Sequence, residues 1–334
     1  MGIPSYFSHV IKNYSSILKN KKYLKRVDNF YLDSNSIIYD VIRALEKDTP
    51  NVTQEHIFNG IVNKINEYIS IIKPCGLIYI AFDGVAPLAK MEQQRQRRYK
   101  GSAETTLINE FAPETNDENN EKFDTSSITP GSEFMLALSN YLKKYYNENT
   151  DLLSNKYGFE TLELSTSDEI GEGEQKMFAK LRQYSKTDVN VVYGLDADLI
   201  MLALLSSVNF PFVYLFRETP HYIKTLDSSL SETEEYIIDI PVMGDIILDS
   251  FNSIEDYVFI CFMLGNDFMP HFPAINIRTN GVSILLDVYK KLFDNKDTII
   301  RNDVIVWKNF KKFVGLISEN ENYYCKNEEL IRKK

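Results

Sequence analysis

Cysteine and histidine are scarce, at three and four residues in a chain of 334. Cys75, Cys261 and Cys325 show no paired spacing, which argues for a reducing compartment and against structural zinc. His9, His56, His221 and His271 are equally scattered, so a bound metal has to be held by oxygen, which favours magnesium or manganese over zinc. Apolar runs such as Gly76–Phe82 fall far short of the ~20 residues of a membrane span. The opening MGIPSYFSHV lacks the basic segment and long apolar stretch of a secretory leader, and Tyr6 stands where a myristoylation signal needs Ser or Thr. The expectation is a cytoplasmic or nuclear protein, neither secreted nor bound to a membrane. Positive charge is also short, 37 Lys and Arg against 47 Asp and Glu, a net charge of −10. Proteins that coat nucleic acid are usually basic, so coating is disfavoured; local phosphate binding beside metal-holding carboxylates is not.

Hydrophobic residues make up 44% of the chain, enough for a substantial core. Short runs rich in Val, Ile, Tyr and Phe alternate with stretches of helical periodicity. Asn29–Leu32 leads into Asp33, Gly76–Phe82 into Asp83, and Val189–Tyr193 into Gly194-Leu195-Asp196. Between them, Ile57, Ile61, Ile65, Tyr68, Ile69 and Ile72 repeat at helical spacing over Gln54–Ile72. This alternation predicts an α/β fold with a mostly parallel central sheet flanked by helices. In such sheets ligands gather beyond the carboxyl ends of the strands, which is where Asp33, Asp83 and Asp196 fall. Residues from about 103 to 128, with ETNDENNEK, are polar and aperiodic and are expected to form a flexible loop. A helix is expected over Glu133–Tyr146, and a Lys- and Asn-rich tail, partly helical, over about 295–334. With no internal repeat or composition break, residues 1–334 are expected to form one compact domain.

Acidic residues recur in the stretches FYLDSNSII, IAFDGVAP, GEGEQK, YGLDADLIML and MLGNDFMPH. They place Asp33, Asp83, Glu172, Glu174, Asp196, Asp198 and Asp267 as candidate metal ligands. Glu172/Glu174 and Asp196/Asp198 are i,i+2 pairs, whose side chains share one side of an extended backbone. Crowded carboxylates repel one another and resist desolvation, a cost that bound cations remove. Two such ions can drive an in-line displacement at phosphorus. Taken singly, Asp33 or Asp83 reads as readily as a turn former or helix cap, and Glu172 and Glu174 as an exposed acidic face. The apolar residues around Asp196, Asp198 and Asp267 favour a ligand role there.

From Lys90 to Lys100 there is neither Gly nor Pro, and a helix is expected. Lys90, Gln94, Arg97 and Arg98 lie at i, i+4, i+7 and i+8, one face of that helix, with few acidic neighbours. Such a stripe suits a phosphate, or else is a solvated basic face.

These stretches, with MGIPSYF, YLDSNSII, FDGVAPLAKMEQQRQRRYK and ITPGSEFM, run in order from Met1 to about Tyr289. Together they resemble the catalytic region of the Xrn family of 5′→3′ exoribonucleases, within the wider superfamily of flap-endonuclease-like (PIN-like, 5′-nuclease) folds. The resemblance implies that the seven acids hold magnesium or manganese, two ions, and that Lys90, Gln94, Arg97 and Arg98 form a pocket for a 5′-monophosphate. The substrate it implies is single-stranded RNA bearing that group. Two departures stand out: Ser36 replaces the family's usual Gly, and Tyr39 takes the place of a base-stacking His and offers a ring for the same purpose. Family members also carry a second characteristic region, and this chain is expected to end near where that region would begin and so to lack it. The protein is then either a minimal member or one whose active site a partner chain covers. Two other functions compete. A structure-specific 5′ flap nuclease on DNA would need a Gly-rich helical hairpin after the last Asp, where only Gly281 occurs. A non-catalytic RNA-binding module would gain nothing from concentrating carboxylates beside phosphate.

Overall fold

Strands buried on both faces read as continuous apolar runs, and the expected parallel strands are of that kind. A computed structural model describes residues 3, 5–48, 52–111, 123–219, 223–226, 228–266, 269–293 and 297–333. The chain groups into two compact units, one made of residues 1–23 and 195–334, the other of residues 24–194. Helix α1 (Tyr6–Asn13) and strand β1 (Leu18–Asn20) open the first unit. The second unit follows: β2 (Asn29–Asp33), α2 (Asn35–Asp48), α3 (Gln54–Ile72), β3 (Leu77–Ala81), α4 (Leu88–Phe111), α5 (Glu133–Tyr157), β4 (Thr161–Ser165), α6 (Gly173–Leu181) and β5 (Asn190–Tyr193). Its strands lie in the order β5-β2-β3-β4, all parallel, with Asp33 level with Ala81.

Helix α3 spans the periodic segment, with Ile57, Ile61, Ile65, Tyr68, Ile69 and Ile72 buried. The Thr53 side chain accepts from the His56 N–H, and the His56 ring accepts in turn from the Thr53 N–H, which fixes the start of the helix. Ser132 caps α5 through the Met135 N–H at 3.2 Å, and Gly158 ends it at φ 85°, a left-handed turn that glycine adopts without strain. At the opposite end of β2 from Asp33, buried Asn29 ties three strands together. Its amide donates to Asn190 Oδ1 (3.0 Å) and Asp188 Oδ2 (3.2 Å), and its carbonyl accepts from Leu77 N–H (3.2 Å). Residues 103–111 of the expected loop are helical instead. Helix α4 runs on to Phe111, and a Lys100–Glu104 pair at 3.8 Å lies one turn apart on it. Residues 112–122 are outside those described.

The first unit resumes with α7 (Asp198–Ser207), β6 (Val213–Arg217), α8 (Ile223–Leu226), β7 (Tyr236–Asp239), α9 (Ile240–Leu248), α10 (Ile254–Cys261), α11 (Gly281–Leu292), β8 (Ile300–Arg301), β9 (Val304–Ile305), α12 (Trp307–Ser318) and α13 (Glu321–Arg332). Its strands β1-β7-β6 are antiparallel, and β8 and β9 form a small hairpin within the segment expected as a tail. Among the described residues no helix is long and apolar enough to cross a membrane.

Asp256 on α10 is fully buried and accepts from the Tyr289 hydroxyl on α11 (2.6 Å) and from the N–H groups of Ile299 (2.9 and 3.0 Å) and Ile300 (2.7 Å). Burial pushes its carboxyl above the usual range, against the pull of these donors. Asp256→Ala strands all three donors and is expected to cost ~2–4 kcal/mol. Asp256→Asn keeps a carbonyl for the backbone and is expected to retain most of that stability. Urea unfolding midpoints of the two variants measure the difference, and equal midpoints would remove the role assigned to the carboxyl.

Candidate metal and phosphate site

Parallel register places the acids of the second unit. Because Asp33 ends β2 level with Ala81, Asp83 stands two residues beyond the same edge of the sheet. The Asn35 side chain brackets Asp83, donating to Oδ2 at 2.6 Å and accepting from the Asp83 N–H at 3.0 Å. Helix α6, which packs against β2 and β3, presents its first N–H groups to this edge. Gly173 N–H donates to Asp83 Oδ1 at 2.6 Å, and the helix N-terminus favours the negative charge there. A Cβ at position 173 would lie 2.8 Å from Asp33 Oδ1 and 3.4 Å from Asp83 Oδ1. The two carboxylates therefore face one small space that only a glycine leaves open.

One turn along α6, Lys176 is buried and donates to the carbonyls of Phe82 (2.9 Å) and Thr166 (3.0 Å), at the ends of β3 and β4. It clamps the residue before Asp83 to the helix. Burial lowers its pKa, while Glu169, Asp83 and Asp168 act in the opposite direction.

Glu172 is extended at the residue before α6 and is buried, 4% exposed. Its Oε1 lies 3.2 Å from Lys90 Nζ, and its Oε2 accepts from Gln175 at 3.4 Å. Lys90, expected on an open basic stripe with few acidic neighbours, is thus 7% exposed and ion-paired with a candidate metal ligand. The sequence offers no cue to this, because the partners are 82 residues apart, at 90 and 172. Gln94 is half-buried on α4; Arg97 and Arg98 belong to the same helix, but their side chains are outside the described set. Tyr39 is half-buried on α2.

The i,i+2 pairs are not extended. Glu172 precedes α6 and Glu174 lies in its first turn; Asp196 is exposed in a loop and Asp198 is the first residue of α7. Acids are favoured in such first turns by the unbonded N–H groups, and that preference competes with the extended reading. Asp196 and Asp198 belong to the first unit. Asp267 lies outside the described residues. Among the described residues no group of three or more His, Cys, Asp or Glu is drawn together for a metal. The acids are instead held by the protein's own donors, Asp83 by Asn35 and Gly173 and Glu172 by Lys90 and Gln175. Asn35, Gly173 and Lys176 had not been singled out as functional, although all three sit inside the motifs YLDSNSII and GEGEQK.

With that geometry in place, comparison with known proteins defines the class. Residues 1–219 match the family described as XRN 5′-3′ exonuclease N-terminus, and residues 248–334 match the Xrn1 helical domain. The chain belongs to the XRN 5′-3′ exonuclease family. It is 32% identical over 329 residues to 5′-3′ exoribonuclease 1 of Saccharomyces cerevisiae, covering 90% of this chain and 21% of that protein. It is 29% identical over 352 residues to 5′-3′ exoribonuclease 1 of Schizosaccharomyces pombe, covering 97% and 26%. Against 5′-3′ exoribonuclease 2 of Eremothecium gossypii the identity is 27%, covering 100% and 43%. The chain therefore spans less than half the length of these relatives. A solved structure of the catalytic core of Rad2 in complex with DNA substrate aligns at a TM-score of 0.45 and 14% identity, over 94% of this chain and 78% of that one. A region beyond the first was expected to be missing, whereas residues 248–334 match a second family region, the Xrn1 helical domain.

Proposed function

We propose that the protein is a 5′→3′ exoribonuclease that degrades single-stranded RNA bearing a 5′-monophosphate, by metal-dependent phosphodiester hydrolysis. The observation that carries this reading is the convergence of Asp33 and Asp83 on Gly173, next to the Lys90–Glu172 pair. The donors are all carboxylate oxygens, which fit magnesium or manganese. Asp33, Asp83, Glu172 and Glu174 are proposed as ligands in the second unit, and Asp196, Asp198 and Asp267 on the strength of family membership. Two bound ions would supply Lewis-acid stabilisation and an activated water.

The chain's own groups do the rest. Lys90, Gln94, Arg97 and Arg98 grip the terminal phosphate as point charge, amide and forked donors, which sets direction by anchoring the 5′ end. Tyr39 stacks on a base, a contact indifferent to sequence. Cytoplasm and nucleus are both compatible compartments.

Labelled single strands test the reading. With magnesium, 5′-monophosphate RNA is expected to disappear about tenfold or more faster than 5′-hydroxyl or triphosphate RNA, since one charge-assisted contact contributes ~1.5–3 kcal/mol. EDTA should stop the reaction, and DNA should be nearly inert. Equal cleavage of DNA flaps would favour the structure-specific DNA nuclease, and binding without cleavage the RNA-binding module.

A further inference from the structure

The Lys90–Glu172 pair is sealed, with side chains 9% and 5% exposed; the Lys143–Asp168 pair, at 42% and 48%, lies in solvent. A buried ammonium and a buried carboxylate each carry a large desolvation cost, and their pairing offsets it. Glu172 is also a proposed metal ligand and Lys90 a proposed phosphate ligand. Glu172 Oε1 faces the ammonium at 3.2 Å, and a divalent ion taking that same oxygen would meet a like charge already seated on it.

We propose that Lys90 is the resident counter-ion of Glu172, exchanged for the metal, so that metal binding is what releases the ammonium to the RNA 5′-phosphate. This rests on the proposed assignment of Glu172 as a metal ligand. Two consequences follow from the charges alone. The lysine competes with the ion, so the protein binds metal more weakly than its carboxylates would without it. The metal-free protein holds its phosphate-binding lysine in reserve, so the 5′ end is poorly read until metal arrives. By linkage, a 5′-phosphorylated end then tightens metal binding by the factor with which metal tightens the end. The order is metal first, then phosphate.

The test uses the whole chain with MnCl2 alone, without RNA, read by calorimetry and by electron paramagnetic resonance of free Mn2+. Lys90→Met keeps the aliphatic stem and removes the charge, and is expected to bind Mn2+ about tenfold tighter than wild type, as expected when one charge contact with Glu172 is removed. Lys90→Arg, whose fork can take both Glu172 oxygens, is expected to bind it more weakly, so the proposal stays testable if the Met variant does not fold. Adding Glu172→Gln to Lys90→Met should erase the gain, because the two changes act on one contact. Equal Mn2+ affinity in wild type, Lys90→Met and Lys90→Arg overturns the exchange. A different result, Mn2+ binding indifferent to Glu172→Gln in the wild-type background, removes the ligand assignment itself.

A second reading separates exchange from direct bridging of phosphate by metal. In EDTA, Glu172→Gln loosens its hold on Lys90 and is expected to prefer 5′-phosphorylated over 5′-hydroxyl RNA severalfold more than wild type does. No such gain in EDTA would also overturn the proposal.

Discussion

Asp83→Asn is expected to lower RNA turnover by about three orders of magnitude or more, several kcal/mol of lost transition-state stabilisation. Two effects act together. The substitution removes a negative charge from the space that Asp33 shares, and with it a proposed hold on the metal. It also breaks a matched hydrogen-bond pattern. The two oxygens of Asp83 meet two donors, the Gly173 N–H and the Asn35 amide, each at 2.6 Å. An Asn amide has one oxygen for two donors, so its NH2 group is left facing one of them, a mismatch of ~1–3 kcal/mol. Single-turnover rates should therefore collapse while the urea midpoint falls only modestly. A variant with near wild-type turnover would remove Asp83 from the site.

Gly84→Ala is the converse case, expected to cost the fold more than any other small substitution near the site. A Cβ there would lie 1.7 Å from the Glu169 carbonyl oxygen and 2.8 Å from its carbon. These are backbone atoms and cannot rotate aside. The two segments are also laced together, Gly84 N–H to Gly171 O at 2.9 Å and Gly171 N–H to Val85 O at 3.2 Å. Admitting one methyl group means parting them, which puts the cost at or above the ~1–3 kcal/mol typical of overpacking. Gly101→Ala gives the control: it lies inside α4 with nothing within 4 Å of the added carbon, and is expected to stabilise by ~0.5–1 kcal/mol. Thermal or urea unfolding should move the two variants in opposite directions, and a Gly84→Ala protein as stable as wild type would contradict the close approach.

The strand ends at Asp33 and Asp83 and the whole of α3 were legible in the sequence, because a buried parallel strand and an amphipathic helix each carry their own period. The start of α6 was not. GEGEQK has no apolar rhythm, and its i,i+2 acids suggested extended backbone where a helix begins at Gly173. Nor did the pattern reveal that Lys90 faces Glu172, since helix periodicity states which residues share a side of α4 but not what that side meets. Composition misled at residues 103–111, where Ala103, Glu104 and Leu107 are good helix formers set next to a polar run. Asp198 opens a helix where an extended pair was expected, because an acid in a first turn is favoured by the helix's unbonded N–H groups.

Asp83 draws its side-chain partners from 48 residues earlier and 90 residues later in the chain. During synthesis, Asp33 and Asp83 therefore leave the ribosome well before Gly173 exists. At ~5–20 residues per second that interval lasts on the order of 5–20 s. Throughout it the two carboxylates have no α6 to gather them and stand in bulk water as ordinary solvated acids. The gathering of these two acids is thus a late event in the life of the chain: no site built on them can assemble until the segment that supplies Gly173 has emerged.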